Sequence, residues 1–211
     1  MQSVALIDYG SGNLRSAEKA LVRAAGGRAD IVVTHDPDVV AAADRVVLPG
    51  VGAFAACMAA LSERPGVIEA MTDAVIRRAA PFLGICVGMQ LMASRGLEFR
   101  ITPGLGWIAG DVKAITPAGA GLKVPHMGWN NLERVTDLPL LAGPKGGEPV
   151  YFTHSFAMFP DDDRDVAAWV DHGGAFPAAV ARGNLAGVQF HPEKSQATGL
   201  KLLSDFLEWR P

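Results

Sequence analysis

The chain has 211 residues, 49% of them hydrophobic, with a net charge of −3 and two cysteines. That length suits one domain with a substantial core, and the Ala-, Val- and Leu-rich composition fits an α/β protein rather than a disulfide scaffold or a disordered chain. No basic block points to nucleic acid or to a membrane surface, no apolar run is long enough to cross a bilayer, and no leader pattern opens the chain; a reduced, cytoplasmic setting is expected.

Val4-Ala5-Leu6-Ile7 reads as a buried strand that ends in the turn-rich Asp8-Tyr9-Gly10-Ser11-Gly12-Asn13. Leu14, Ala17, Leu21 and Ala24 then recur at helical spacing, and Gly26-Gly27 closes the helix. Ile31-Val32-Val33 and Arg45-Val46-Val47-Leu48 are further strands, the second stopped by Pro49-Gly50-Val51-Gly52. Helical stretches follow around Phe54–Leu61 and Val67–Ala79. Pro81-Phe82-Leu83-Gly84-Ile85 is a strand running into Cys86, and a helix is expected from Val87 to about Ser94. Repeated strand–helix units imply a parallel sheet with helices on both faces.

Beyond Trp107 the pattern changes. Short apolar runs broken by Gly and Pro extend to Asn131 and suggest antiparallel hairpins. Val150-Tyr151-Phe152, Val166–Val170, Ala178–Ala181 and Ala186–Phe190 read as strands, Gly143–Glu148 as a polar loop, and Leu200 to Trp209 as an amphipathic helix. The expected fold class is α/β: one domain over residues 1–211, its mixed sheet parallel at the centre and flanked by helices, with antiparallel strands in the second half.

Two distant stretches share one chemistry. Gly84-Ile85-Cys86-Val87-Gly88 has the Gly-x-nucleophile-x-Gly form of a nucleophile elbow, with sulfur as the nucleophile. A thiol attacks as its thiolate, so a catalytic cysteine needs a positive field and a proton acceptor. The helix beginning at Val87 offers the first, and the Val87 amide would point at a developing oxyanion. His191-Pro192-Glu193 offers the second: an imidazole at a strand end, with a carboxylate two residues on that an extended backbone would place on the same side. Cys86, His191 and Glu193 thus fill the roles of nucleophile, base and orienting acid. Alone, Cys86 could be a small core residue and His-Pro-Glu a surface turn; each gains meaning from the other.

Cys57, in an Ala-rich helical stretch, reads as core. His35 and His172 fall in loops and read as solvated, whereas for His126 and His154 structural and substrate-side roles are both open. No Cys/His/carboxylate grouping has metal-ligand spacing, so neither a metal nor another cofactor is expected. The glycines of Tyr9–Asn13 lack the dinucleotide-binding pattern.

With those residues in view, Gly84-Ile85-Cys86-Val87-Gly88-Met89-Gln90 and Gly187-Val188-Gln189-Phe190-His191-Pro192-Glu193-Lys194-Ser195 resemble the signatures of class I, triad-type glutamine amidotransferases. Asp8–Leu14, Leu48–Phe54, Pro125–Asn130 and Tyr151–Phe156 narrow the resemblance to one branch, the glutaminase subunits of imidazole glycerol phosphate synthases. It runs from residue 5 to about residue 195.

The resemblance implies hydrolysis of L-glutamine to glutamate and ammonia through a cysteine thioester. It implies that Gly50, Val51 and Gly52 complete an oxyanion hole with Val87, and that one of their peptides turns for catalysis. It implies that Gln90, Glu98, Ser155 and Phe156 hold glutamine. It further implies a heterodimer with a barrel-type cyclase that uses the ammonia to form imidazole glycerol phosphate and AICAR in histidine biosynthesis. Asn13, Met127, Trp129, Asn130 and Lys194 match positions at or near that interface. Phe156 departs from the family pattern, where tyrosine is frequent, as does Gly96-Leu97 before Glu98, where a more polar pair is common. The alternatives are an amidotransferase serving pyridoxal phosphate, anthranilate or guanylate synthesis, a stand-alone cysteine hydrolase, and a non-catalytic regulatory module.

Overall fold

The computed structural model describes residues 1–10, 13–118 and 121–211. Ser11 and Gly12 of the turn-rich segment lie outside the described residues, as do Gly119 and Ala120 in the stretch expected to form hairpins.

The strands are β1 (Gln2–Ile7), β2 (Ala29–Thr34), β3 (Arg45–Gly50), β4 (Phe82–Cys86), β5 (Arg95–Gly96), β6 (Thr102–Pro103), β7 (Gly110–Ala114), β8 (His126–Asn130), β9 (Val150–His154), β10 (Phe156–Pro160), β11 (Val166–Asp171), β12 (Ala175–Arg182) and β13 (Leu185–Val188). The α-helices are α1 (Leu14–Ala25), α2 (Pro37–Ala42), α3 (Phe54–Ser62), α4 (Val67–Thr72), α5 (Val87–Gln90), α6 (Ala142–Lys145) and α7 (Gln196–Glu208).

The main sheet has seven strands in the order β11-β12-β13-β4-β3-β1-β2. Its β13, β4, β3, β1 and β2 run parallel, and β12 and β11 extend it antiparallel. Every residue of β3, β4 and β13 is buried. Strands covered on both faces read as continuous apolar runs without alternation, and these three do so in the sequence once the buried Arg45 that opens β3 is set aside. Helix α1 buries Ala17, Ala20, Leu21 and Ala25, one helical face, and packs with α7, which buries Leu202, Leu203, Phe206 and Leu207.

The antiparallel strands expected in the second half do not all join the main sheet. β10-β7-β5-β6 form a four-stranded sheet, antiparallel except for the parallel β5–β7 pair and drawing β5 and β6 from before Trp107, and β8-β9 form a separate antiparallel pair. Other boundaries also move. The unexpected α2 has the start signal Asp36-Pro37, with the Asp36 carboxylate accepting from the Asp38 amide. The Val67–Ala79 stretch is α4 followed by a π-helical turn, Asp73–Arg77. α7 begins four residues before Leu200, and the Gly143–Glu148 loop opens inside α6. The helix expected to reach Ser94 stops at Gln90, because the Leu91, Met92 and Ala93 carbonyls accept from amides of residues 105–108 instead of continuing the helix.

Candidate active site

Cys86 is the last residue of β4, and α5 begins at the next residue. Its backbone lies at φ 54°, ψ −112°, a strained conformation for a side-chain-bearing residue that costs about 1–3 kcal/mol and gathers at functional sites. The flanking glycines are required by close approach. A Cβ on Gly84 would meet the Gly88 carbonyl oxygen at 2.7 Å, and one on Gly88 would meet the Leu48 carbonyl oxygen at 1.8 Å. The elbow closes only because both positions lack side chains. Since α5 is a single turn, its dipole adds less at Cys86 than a longer helix would.

β13 lies beside β4 in parallel register, Val188 opposite Ile85, so the segment after β13 emerges at the same sheet end as Cys86. His191 is buried there, its amide donating to the Tyr151 carbonyl at 2.9 Å. The backbone is extended at His191 but then enters a 3₁₀ turn, Pro192–Lys194. Glu193 therefore reaches the ring through a tight turn, not along an extended strand as expected. His191 Nδ1 meets Glu193 Oε1 at 2.7 Å. The turn is pinned by Ser195, whose hydroxyl donates to the His191 carbonyl at 2.7 Å and accepts from the Tyr151 amide at 2.9 Å. The Asn13 side-chain amide donates to the same Glu193 Oε1.

With Nδ1–H committed to Glu193, Nε2 is left for the reaction. It is buried and makes no hydrogen bond, although the Cys86 thiol is near enough to act on the ring. Burial alone would lower the His191 pKa; Cys86 and Glu193 more than reverse this, raising it from 6.5 to about 9. At neutral pH the ring is held as an imidazolium, the state that pairs with a thiolate and can protonate a leaving amine.

Gln189 is a site residue that reading the sequence misses. It is fully buried, and its Nε2 donates to Cys86 Sγ at 3.6 Å while its Oε1 accepts from Gln90 Nε2 at 3.0 Å. Its signal is a polar residue inside the otherwise apolar Ala186–Phe190 run. Gln90 Nε2 also donates to the Phe156 carbonyl at 2.9 Å. Both amide hydrogens are thus spent, and Gln90 offers a ligand only its Oε1, an acceptor.

Val51, Gly52, Cys86, Val87, Gln90 and Glu98 line one cleft of about 680 Å³, together with Ser155, Phe156 and His191. Gly50, also expected at the oxyanion hole, pairs with Cys86 across β3–β4 and lines a much smaller cavity beside His191 and Glu193. The carbonyls on either side of the Gly50–Val51 peptide are tethered from beneath: the Tyr9 hydroxyl donates to Pro49 at 2.8 Å and the Cys57 thiol to Val51 at 3.3 Å. Cys57 is thus buried, as its core reading requires, but is also a donor; burial raises its pKa and keeps it a thiol. Glu98 Oε2 accepts from the Phe54 amide at 2.8 Å, capping α3 at the rim of the cleft. The Ser155 carbonyl accepts from the Ile115 amide at 2.9 Å.

Of the five residues expected at a partner surface, three share an exposed patch. Met127 and Trp129 project from the outer face of β8; Trp129 meets the Tyr151 ring edge-on, and Lys194 Nζ lies 5.8 Å from that ring. Asn13 and Asn130 instead turn their amides inward, Asn130 to the Asp171 carbonyl at 2.8 Å and toward His126. His172, read as solvated, stacks on His126 with ring centroids 4.2 Å apart. Among the described residues, no group of three or more His, Cys, Asp or Glu could hold a metal ion, and no helix is long and apolar enough to cross a membrane.

A thiol elbow, an imidazole–carboxylate pair just past the end of the neighbouring parallel strand and a cleft lined by both are the furniture of a triad amidotransferase, and the chain belongs to that family: the model for glutamine amidotransferase class-I matches residues 5–209. Relatives are more specific. The chain is 63% identical to the imidazole glycerol phosphate synthase subunit HisH of Caulobacter vibrioides, covering 100% of both chains. It is 57% identical to the HisH subunit of Rhodospirillum rubrum, covering 99% of each. Among solved structures, a glutamine amidotransferase superposes with a TM-score of 0.71 at 20% identity, 97% of each chain being covered. The glutaminase domain of Trypanosoma brucei CTPS superposes with a TM-score of 0.65 at 14% identity, covering 100% of this chain and 96% of that one. At such identities the structural likeness speaks to the fold alone.

Proposed function

We propose that this chain, acting as one amidotransferase domain over residues 1–211, is the glutaminase subunit of an imidazole glycerol phosphate synthase of histidine biosynthesis, and that it works in the cytoplasm. The observation that carries the chemistry is the His191 Nδ1–Glu193 Oε1 bond of 2.7 Å, which leaves Nε2 for the Cys86 thiol.

Cys86 Sγ, as thiolate, attacks the side-chain amide carbon of L-glutamine. The carbonyl oxygen becomes an oxyanion beside the Val87 amide and the Val51–Gly52 segment; each such donor contributes roughly 3–4 kcal/mol to the transition state. His191 gives its Nε2 proton to the leaving nitrogen, the C–N bond breaks, and ammonia departs, leaving a γ-glutamyl thioester. The neutral imidazole then takes a proton from water, hydroxide adds to the thioester, and glutamate leaves as the thiolate and imidazolium are restored. Glu193 fixes the tautomer throughout. Gln90 Oε1 and the Glu98 carboxylate, both acceptors, suit the α-ammonium group of the substrate, and the Ser155–Phe156 backbone adds contacts.

Ammonia is mostly protonated in neutral water, and only the free base attacks an electrophile. The product therefore has to pass directly to its consumer, a cyclase, which we take to be a (β/α)₈ barrel seated on the face that carries Met127, Trp129 and Lys194, with Asn13 and Asn130 at its margin.

The test is glutamate release from L-glutamine by the purified chain, alone and with the cyclase and its ribonucleotide substrate. Strong stimulation that Cys86→Ala abolishes is the expected result. Full activity alone, indifferent to the cyclase, identifies a stand-alone hydrolase instead.

A further inference from the structure

Two buried histidines take no part in the reaction above, yet they join the partner-side hairpin to the glutamine cleft. His126, on β8, and His154, at the end of β9, are paired across the two strands, with His126 Nδ1 and His154 Nε2 3.1 Å apart. His154 Nδ1 lies 3.0 Å from the Phe156 carbonyl oxygen, and Asn130 Nδ2 lies 3.3 Å from His126 Nε2.

The direction of every bond follows from its inner end. A carbonyl only accepts, so His154 Nδ1 carries a proton and donates to Phe156. In a neutral ring His154 Nε2 is then an acceptor, so His126 Nδ1 donates to it and His126 Nε2 accepts from Asn130. All donors point inward, and the relay stands only while both rings are neutral, since a second proton on His154 would set two N–H groups against each other. Burial supports this state, holding the pKa of each ring down at about 4, with His172 and His191 the titratable groups that face them.

Beyond Phe156 the connection continues. Gln90 Nε2 donates to the same Phe156 carbonyl and to Gln189 Oε1, and Gln189 Nε2 donates to Cys86 Sγ. The His126 ring cannot swing out of line, because it is sandwiched between Phe152, with centroids 4.6 Å apart and planes 21° apart, and His172, at 4.2 Å and 20°. Any shift of β8 must therefore move the ring within its plane, along the line of its hydrogen bonds.

We propose that His126 and His154 are positioning residues which, as a neutral pair, carry the placement of Asn130 on the hairpin to the Phe156 carbonyl and Gln90, and so set the wall of the glutamine cleft. The part of this that concerns the cyclase rests on the partner face proposed above; the part that concerns the cleft does not.

His126→Leu removes the relay, and His126→Asn returns a donor near the Nδ1 position. Glutamine affinity of the isolated chain is read from the glutamine concentration that half-protects Cys86 against iodoacetamide, and coupling from the stimulation of glutamate release by the cyclase and its ribonucleotide. His126→Leu is expected to weaken protection about fivefold and to cut stimulation by a similar factor, with His126→Asn restoring both. The alkylation rate without glutamine, which reports the triad, should stay unchanged. Wild-type protection in His126→Leu overturns the proposal, as does a failure of His126→Asn to restore what His126→Leu removes. Should His126→Leu not fold, Asn130→Ala, at the half-buried outer end, is read in its place on the same two scales. If the cyclase fails to stimulate even the unaltered chain, it is the assignment to a synthase that falls, and protection alone decides the relay.

Discussion

The Cys57 thiol donates to the Val51 carbonyl over 3.3 Å, so a residue of α3 holds the segment that borders the nucleophile. A peptide's N–H points opposite its C=O, and this bond therefore also orients the Gly52 amide. Removing it loosens one wall of the proposed oxyanion site without touching the triad. Cys57→Ala is expected to lower kcat for glutamine hydrolysis about tenfold, short of the larger loss from deleting an oxyanion donor outright, with little change in KM. Cys57→Ser, which keeps a donor, should recover most of it in steady-state kinetics.

Charge on His191 ties stability to pH. Its folded-state pKa, about 9, lies above the ordinary 6.5, so the stabilisation is fully present below 6.5 and is lost as pH rises through about 9. Glu193→Gln keeps an acceptor for Nδ1–H but removes the negative charge. Its stability deficit in denaturant unfolding should be largest on the acid side of that window and shrink beyond it. A deficit of equal size at every pH would show that the pair's charge contributes nothing.

Asn13 bonds the same carboxylate oxygen that orients His191. A hydrogen bond to a charged group contributes about 1.5–3 kcal/mol, so Asn13→Ala should slow alkylation of Cys86 by iodoacetamide about tenfold in the isolated chain. Because no partner is present in that assay, an interface role for Asn13 cannot produce the effect.

Glu98 caps α3, and the proposed function gives it a second duty toward glutamine; one substitution separates the two. In Glu98→Gln the side-chain carbonyl can still cap the Phe54 amide, while the negative charge offered to the substrate is gone. Thermal unfolding should be nearly unchanged, and KM for glutamine should rise about tenfold. Glu98→Ala should also lose the cap, about 1 kcal/mol, and melt at a lower temperature.

What could be read in advance followed from local rules. The central strands were legible because burial on both faces writes unbroken apolar runs, and the elbow because the close approaches at Gly84 and Gly88 tolerate no side chain. His191 and Glu193 were legible as a pair because they are near neighbours, although a tight turn and not an extended strand brings them together. The silent parts depend on contacts between segments far apart. Nothing local tells that His126 and His154 face each other across β8–β9, or that Gln189 reaches Cys86. Cys57 looked like packing because an Ala-rich helix hides which backbone group its thiol will meet. Helix α2, in contrast, carried its own start signal in Asp36-Pro37, which its short length masked.

The order of strands in the main sheet also has a bearing on synthesis. β2, β1, β3 and β4 are all made early and lie side by side, whereas β13 inserts between β4 and β12 and is the last strand to leave the ribosome. Until it docks, the nascent polypeptide holds its elbow sulfur with no proton acceptor, and β11 and β12 have no way to join the parallel half. Domains generally fold as units while the chain emerges. Here the thiol and its base come together only once β13 has paired with β4, so a polypeptide cut short before that strand carries the elbow sulfur without the group that would take its proton.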